Sequence, residues 1–217
     1  MQEKAVLNKL HQRAYDAIGV KPEAKKLPKE EAKAREITAW MCANFFDVRA
    51  FGAVMTTEVN AGQVRGPIQM GFSQSVDPIV PQEITITRSS VTNERDADKE
   101  RTMGRKYVVP YGLYRCHGFV SASLAGDDTK GTGFSEEDLS LFFEALINMF
   151  EHDRSAARME MNAQRLIVFK HDSPLGNAPA QKLFKLVHIE KKDDVKIPRG
   201  FSDYAVTIDR ENLPAGV

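Results

Sequence analysis

The sequence has few of the residues that build metal centres or disulfide frameworks. It contains two cysteines, Cys42 and Cys116, and five scattered histidines among 217 residues. A zinc site would need further ligands at close spacing, so we expect no metal site. The 30 basic and 30 acidic residues leave no formal net charge, which excludes indiscriminate adhesion to nucleic acid or membrane. Any polyanion site must therefore be a local surface.

The sequence also lacks an apolar run of 18 residues and a recognisable signal peptide. Together with the isolated thiols, this predicts a reduced cytoplasmic protein without a membrane partner. Hydrophobic residues make up 42% of the chain, which is enough to bury one substantial core. We expect a single domain with an appended lobe or insertion.

Cofactor motifs are incomplete. Residues 126–133 have glycines at the spacing of a phosphate-binding loop, but Thr132 and Gly133 stand where the motif needs lysine and a hydroxyl residue. The third glycine of a dinucleotide fingerprint is replaced by Glu136. We expect a turn here and no cofactor.

Apolar periodicity predicts helices over residues 1–18, 29–46 and 135–152, the last opened by a capping box at Ser135. Runs of apolar and β-branched residues predict strands at 68–72, 84–87, 111–124, 166–169, 183–189 and 204–208. Helices and strands that alternate irregularly favour an α+β fold, with helices covering one face of an antiparallel sheet.

The basic block from Arg101 to Lys106 precedes the strand-like run at 107–111. Between Lys99 and Lys106 there are four cations and one acid, so this segment carries a local excess of positive charge. Arginine and lysine neutralise phosphates, and an apolar side chain such as Met103 can insert between bases. We interpret the block as the return arm of a hairpin that binds nucleic acid. The alternative is a solvated edge protected against aggregation.

Other candidate contacts come from polar side chains near glycines. Asn60, Gln63 and Arg65 lie around Gly62 and Gly66, where a backbone without side chains can approach a phosphate closely. Alternatively, these glycines merely turn the chain and Arg65 pairs with an internal acid.

Further cations extend this candidate surface. Arg88 on the outgoing arm of the hairpin would line one groove with Arg105 and Lys106. Arg154 and Arg158 are four residues apart and would share a face if the third helix continued. This pair could bind a phosphate or an acidic neighbour. Alternatively, it could simply face solvent.

Two other functions remain open from these residues. His152 or Asp153, or His117, could act as acid and base in an RNA-processing nuclease, although neighbouring residues on a helix do not share a face. The basic hairpin could instead dock an acidic protein, as part of a scaffold.

Several blocks resemble one known family. They are FDVRAFGAVM at 46–55, QVRGPIQ at 63–69 with SVDP at 75–78, MGRK at 103–106 with VPYGLY at 109–114, and NMFEHDRSAAR at 148–158. In this order they are similar to the Csd-two type of the Cas-seven family. That family forms the non-catalytic backbone that coats guide RNA in the type I-C CRISPR surveillance complex, Cascade.

The resemblance implies a modified RNA-recognition-motif palm of ferredoxin-like type at 47–82 and 111–217, a helical lobe at 1–46 and a hairpin thumb at 83–110. Gln63 and Arg65 would face the RNA backbone, and Arg105 and Lys106 would lie on the thumb with Met103 as the wedge. Arg49, in a turn at 47–49, is a further candidate. The family's first palm strand is missing from the beginning of the sequence.

The resemblance also implies the partners. Copies would stack head to tail along one crRNA, each thumb folding over RNA held by its neighbour and displacing one base at regular intervals. The remaining bases would pair with target DNA, so that pairing and not the protein reads sequence. Other Cascade subunits, of the Cas-five, Cas-eight and small-subunit types, would complete the complex.

The basic hairpin generates a first prediction. Reversing both charges in an Arg105→Glu, Lys106→Glu variant should weaken RNA binding, because each lost phosphate contact lowers the slope of log affinity against log salt by about one. Filter binding of a short RNA across a salt series measures this. An affinity that stays the same at every salt concentration would contradict the thumb assignment.

Overall fold

The structure, a computed structural model, describes residues 5–99, 102–126 and 131–217. Its helices are α1 (Leu7–Ile18), α2 (Glu31–Asn44), α3 (Phe46–Phe51), α4 (Ala122–Gly126), α5 (Glu136–Asn148) and α6 (Ala180–Lys185). Its strands are β1 (Gly52–Thr56), β2 (Asn60–Arg65), β3 (Ile68–Met70), β4 (Gln74–Ser75), β5 (Gln82–Thr87), β6 (Met103–Val108), β7 (Tyr114–Arg115), β8 (Gly118–Val120), β9 (Val187–Lys191) and β10 (Tyr204–Ile208). Short 3-10 helices lie at Glu94–Asp96, Met149–His152 and Phe201–Asp203. The predicted α+β class is confirmed.

The strands pair antiparallel in five ladders: β1 with β2, β3 with β8, β4 with β7, β5 with β6, and β9 with β10. Within the described ranges, backbone hydrogen bonds do not join these pairs into one continuous sheet. The β5–β6 hairpin is the most regular, with six consecutive residue pairs from Gln82↔Val108 to Thr87↔Met103.

The first hydrophobic core joins the N-terminal helices to the first hairpin. Its buried members are Ala14, Tyr15, Ile37, Met41, Cys42, Val48, Met55 and Ala61. The hydroxyl of Tyr15 donates to the carbonyl oxygen of Asn60, and Nδ1 of the buried His11 lies 2.8 Å from the carbonyl oxygen of Val59. Polar contacts as well as apolar packing therefore anchor α1 to the start of β2 and to the residue before it.

The second core lies under α5. Ala50, Ile68, Phe134 and Phe142 are buried together. The predicted capping box is confirmed: the hydroxyl of Ser135 accepts from the backbone N–H of Asp138, whose carboxylate accepts from the backbone N–H of Ser135. This cap satisfies N–H groups that a helix start otherwise leaves without partners.

Three predicted boundaries were wrong. The third helix ends at Asn148 and continues only as a 3-10 turn to His152. The segment at 46–51, where we expected a turn at 47–49, forms α3, because Phe46 and Ala50 are four residues apart and pack on the same core. The predicted strand at 111–124 is divided into β7, β8 and α4.

Two predicted strands in the C-terminal part also differ. The segment 183–189 begins inside α6, because the run AQKLFK contains good helix formers and no β-branched residue before Val187. The segment 166–169 has strand-like composition but forms no ladder, since none of the described strands pairs with it. A β-strand needs a hydrogen-bonded neighbour, which composition alone does not supply.

Gly52 and Gly66 mark a close crossing of two backbone segments. A Cβ added to Gly66 would lie under 3.0 Å from backbone atoms of Ala50, Phe51 and Gly52, and one added to Gly52 would meet Val64 and Gly66. Gly52 also has a φ of +79°, a conformation that L side chains rarely adopt. The crossing therefore requires glycine on both sides.

This crossing generates a second prediction. Gly66→Ala should lower the free energy of unfolding by about 2 to 3 kcal/mol, because the new methyl group meets backbone that cannot rotate away. Urea unfolding measures the change. The matched control is Gly104→Ala, since nothing lies within 4 Å of a Cβ at Gly104. Equal free energies of unfolding for the two variants would show that the backbone at the crossing can move apart to admit a methyl group.

Candidate nucleic-acid interface

Two of the predicted contacts lie together on one face of the first hairpin. Val54 is opposite Gln63 and Gly52 is opposite Arg65 in the β1–β2 ladder. Directly opposed residues share a face, as do residues two apart in one strand. Val54, Gln63 and Arg65 are all exposed, whereas Met55 points into the first core. We call this outward surface the β2 face.

Arg65 is available for a ligand. Its side chain has no hydrogen bond or ion pair with any other residue in the described ranges. The alternative, in which Arg65 pairs with an internal acid, is therefore not met there. Asn60 differs, because it is buried and both ends of its amide are used. Its Nδ2 donates to the carbonyl oxygen of Lys25 at 3.1 Å, and its Oδ1 accepts from the N–H of Gly62 at 2.8 Å. Asn60 thus supports the hairpin from inside.

The glycines around Arg65 do not form an open cradle. A Cβ at Gly62 would lie 2.8 Å from Oγ1 of Thr38, and Gly66 is closed off by the crossing with Gly52. Both glycines are buried. The structure therefore supports the alternative in which these glycines only turn the chain. A phosphate contact on the β2 face would then come from Arg65.

Arg49 lies inside the protein and not on the β2 face. Its Nε and Nη2 donate to the two carboxylate oxygens of Asp138 at 2.8 and 2.7 Å, and Nη1 donates to the carbonyl oxygen of Cys42 at 2.7 Å. Its side chain is only 18% exposed. The hydrogen bond from Arg49 lowers the pKa of Asp138, and the same bond raises the pKa of Arg49. Arg49 therefore joins α3 to the first turn of α5.

The β5–β6 hairpin has two different faces. Thr87 with Met103, Thr85 with Arg105, and Glu83 with Tyr107 lie on one face, which we call the Met103 face. Nε of Arg105 lies 3.1 Å from Oε1 of Glu83, and the hydroxyl of Tyr107 donates to Oε2 of Glu83 at 3.0 Å. Met103 is 70% exposed.

The opposite face carries Lys106, paired with Ile84, and Gly104, paired with Ile86. The predicted single groove lined by Arg105 and Lys106 is therefore wrong, because neighbouring residues of a strand point to opposite faces. Arg88 follows β5, and its guanidinium donates to the hydroxyls of Thr92 and Thr102 at 3.2 and 3.4 Å. Arg101 lies outside the described residues.

Arg154 and Arg158 do not share a helix face. The chain leaves helical geometry after His152, so the spacing of four no longer brings the two guanidiniums together. Arg154 pairs with Glu151, and Nη2 of Arg158 donates to Asp153 at 3.0 Å. Both arginines therefore form contacts within the loop at 151–158.

Several side chains considered for nuclease chemistry also have partners within the protein. The carboxylates of Glu151 and Asp153 are ion-paired to arginines. The ring of His117 stacks on Phe184 with centroids 3.9 Å apart, and burial, with a smaller contribution from Arg115, lowers its pKa. Among the residues that the structure describes, no group of three His, Cys, Asp or Glu side chains could hold a metal ion.

Comparison with models of protein families shows which family the chain matches. The model of the family described as CRISPR-associated protein Cas7 matches residues 1–209. The chain belongs to the Cas7 family. Membership implies a crRNA-binding backbone role in a CRISPR-Cas complex, with crRNA and a Cascade complex as partners. The chain has no match among curated proteins. No helix in the described ranges is long and apolar enough to cross a membrane.

In this Cas7 chain, sequence reasoning missed the residues next to Arg65. An open depression of about 290 Å³ beside the β2 face is lined by Phe51, Gly52, Ala53, Val54, Val64, Arg65 and Gln69. Phe51 and Val54 belong to the block at 46–55 that carries part of the resemblance, and both are exposed in the structure. Only the fold reveals that they adjoin Arg65.

The ion pair between Arg49 and Asp138 generates a third prediction. Asp138→Asn should lower the free energy of unfolding by about 2 to 3 kcal/mol at neutral pH, because it leaves the largely buried guanidinium without its counter-charge. The folded-state pKa of Asp138 is lowered, so its stabilisation is present above the ordinary carboxyl pKa, about 4, and is lost as pH falls through the folded pKa.

Urea unfolding at pH 7 and at several acidic pH values measures this effect. The difference between the original protein and Asp138→Asn should shrink as the pH falls. Glu144→Gln removes an exposed carboxylate from the same helix and serves as the matched control. A stability difference that is the same at every pH would contradict a charged role for Asp138.

Proposed function

We propose that this Cas7 chain is a non-catalytic crRNA-binding subunit of a type I-C Cascade complex. Copies stack head to tail along one guide RNA and leave most bases free to pair with target DNA. Sequence is then read by base pairing, while the protein holds the RNA backbone. Subunits of the Cas-five, Cas-eight and small-subunit types complete the assembly. The type I-C assignment rests on the sequence blocks that resemble the Csd-two type.

The observation that carries the proposal is the β2 face. The side chain of Arg65 is exposed and has no partner in the described ranges, and Gln63 lies beside it on the same face. A guanidinium can bind a phosphate through two parallel hydrogen bonds. An amide adds neutral hydrogen bonds to phosphate or sugar oxygens. These contacts suit an RNA backbone of any sequence, as a guide-holding subunit requires.

The Met103 face of the hairpin supports the second part of the proposal. Met103 and Arg105 are two residues apart and project from the same face, so one apolar and one charged group can reach the same RNA segment. The ion pair of Arg105 with Glu83 is exposed, and such pairs contribute only about 0 to 1 kcal/mol. Arg105 can therefore exchange Glu83 for a phosphate at little cost.

The proposal of a non-catalytic role is supported by the loop at 151–158. The two carboxylates nearest His152 in the sequence are held by arginines, so neither is free to orient the imidazole as a base. Incubation with precursor RNA tests this part: metal-independent cleavage that His152→Ala abolishes would replace the proposal with a nuclease.

The β2 face generates a fourth prediction. Arg65→Ala should weaken binding of a short crRNA and lower the slope of log affinity against log salt by about one, because one phosphate contact is lost. Fluorescence anisotropy of a labelled RNA across a salt series measures both quantities. Arg35→Ala is the matched control, since Arg35 is an exposed arginine on α2 paired with Glu31.

If both variants give the same salt slope as the original protein, Arg65 does not contact phosphate. A scaffold that docks an acidic protein would behave differently again. Its purified assembly would survive nuclease treatment, whereas an assembly built on crRNA should fall apart once the RNA between subunits is cut.

A further inference from the structure

One loop of the protein presents a large apolar side chain to solvent. Leu175 is 95% exposed and lies between Pro174 and Gly176, in the segment that joins the strand-like run at 166–169 to α6. It belongs to neither hydrophobic core. Because removal of apolar surface from water is favourable, burial of Leu175 against a partner would add stability that folding of the single chain does not use.

The loop that carries Leu175 is held by its own hydrogen bonds. Nδ1 of His171 accepts from the backbone N–H of Asn177 at 2.9 Å, and Oδ1 of Asn177 accepts from the N–H of Ser173 at 3.1 Å. Oγ of Ser173 in turn accepts from the N–H of Leu175 at 3.3 Å. We call residues 171–177 the Leu175 loop. Since the loop is already ordered, docking of its tip loses little conformational entropy.

The Leu175 loop also carries a free negative charge. Asp172 is the only charged residue between positions 172 and 177. Its side chain is exposed and has no hydrogen bond or ion pair with any other residue in the described ranges. The loop thus combines an apolar tip with an anion, and a matching surface would be apolar and positively charged.

The hairpin face opposite the Met103 face has apolar side chains without a partner. Ile84 and Ile86 project from it and are 47% and 49% exposed. We call it the Ile84 face. Gly104 is paired with Ile86, and nothing lies within 4 Å of a Cβ built on this glycine. A gap therefore adjoins Ile86, and a side chain from outside can fill it.

The charge of the Ile84 face is positive. Lys106 is directly opposite Ile84, and Arg88 follows β5 two residues after Ile86. The one acidic residue of β5 and β6, Glu83, lies on the Met103 face. The Ile84 face therefore complements the Leu175 loop in charge as well as in apolar character.

A protein side chain suits the Ile84 face better than RNA does. Isoleucine has no flat π-face on which a base can stack. The two faces of a β-hairpin also point in opposite directions, so RNA bound at the Met103 face leaves the Ile84 face uncovered.

We propose that the Leu175 loop of one copy docks on the Ile84 face of the next copy. Leu175 packs against Ile84 and Ile86 in the gap at Gly104, and Asp172 lies close to Lys106. The inference rests on the proposed function and adds to it a protein contact that needs no RNA.

The geometry of this contact suits a filament. Within one copy, no hydrogen bond or ion pair in the described ranges joins the Leu175 loop to β5 or β6, so both surfaces stay available to neighbours. The contact joins two different surfaces of the same chain, and head-to-tail contacts of this kind build open filaments when the rotation does not close a ring.

Binding to RNAs of two lengths tests the contact. One RNA has room for a single copy, and the other is a crRNA on which several copies are neighbours. Fluorescence anisotropy measures the affinity of the original chain, Leu175→Ala, Asp172→Asn and Phe72→Ala for both RNAs. Phe72 is 99% exposed and lies on neither surface, so Phe72→Ala is the matched control.

Leu175→Ala should bind the short RNA with unchanged affinity. On the long RNA it should reduce the cooperativity between neighbouring copies about tenfold, as truncation of a buried interface side chain does. Phe72→Ala should reduce it not at all. Asp172→Asn should reduce it about two- to fivefold at low salt and have no effect at high salt, because exposed ion pairs are weak and screened.

Disulfide formation between copies locates the contact. The exposed Cys116 is first removed by Cys116→Ser. Copies with Leu175→Cys and differently tagged copies with Ile86→Cys are then mixed on the long RNA with a mild oxidant. We expect a disulfide that joins the two tags, and none when Phe72→Cys takes the place of Ile86→Cys.

Unchanged cooperativity of Leu175→Ala would overturn the inference, as would equal disulfide yields for Ile86→Cys and Phe72→Cys. A weaker affinity of Leu175→Ala for the short RNA would place the loop on RNA and would also overturn it. Failure of the proposed function is distinct, because the original chain would then bind neither RNA.

Discussion

At Gly52 and Gly66 two backbone segments pass so closely that neither residue has room for a side chain. Gly52 follows α3 and begins β1, and Gly66 lies between β2 and β3. Residues near these glycines belong to both hydrophobic cores. Val48 and Met55 belong to the core under α1 and α2, whereas Ala50 and Ile68 belong to the core under α5. Phe51 and Arg65 are direct sequence neighbours of the two glycines, so the crossing adjoins the candidate interface. A single steric constraint thus fixes the two cores relative to the candidate interface.

Charge in this protein is divided between structural and exposed roles. Arg49 and Arg65 flank the crossing in the sequence, yet Arg49 forms a bidentate ion pair with Asp138, 89 residues away, and Arg65 has no partner in the described ranges. Arg154 and Arg158 hold their own loop through Glu151 and Asp153. These three arginines are therefore held by carboxylates of the chain, whereas the exposed side chain of Arg65 is open to a polyanion.

The two faces of the β5–β6 hairpin also carry different kinds of side chains. Strand alternation separates Arg105 from Lys106, although they are neighbours in the sequence, and brings Arg105 together with Met103. An apolar side chain can insert between bases, and a nearby cation can neutralise a phosphate. The opposite face, with Ile84 and Lys106, is free to serve a different contact. The regular ladder of β5 and β6 fixes this separation.

The sequence by itself determined the α+β class, the capping box at Ser135, the strands at 84–87 and 204–208, and the family resemblance. These features depend on neighbouring residues or on ordered blocks, which a sequence displays directly. It did not determine which cations are free, that 166–169 lacks a strand partner, or that Phe51 and Val54 adjoin Arg65. Those properties depend on partners distant along the chain, such as Asp138 for Arg49 and Gly66 for Gly52. Only tertiary structure decides them, because burial and pairing are set by the packing of segments whose contact no local pattern encodes.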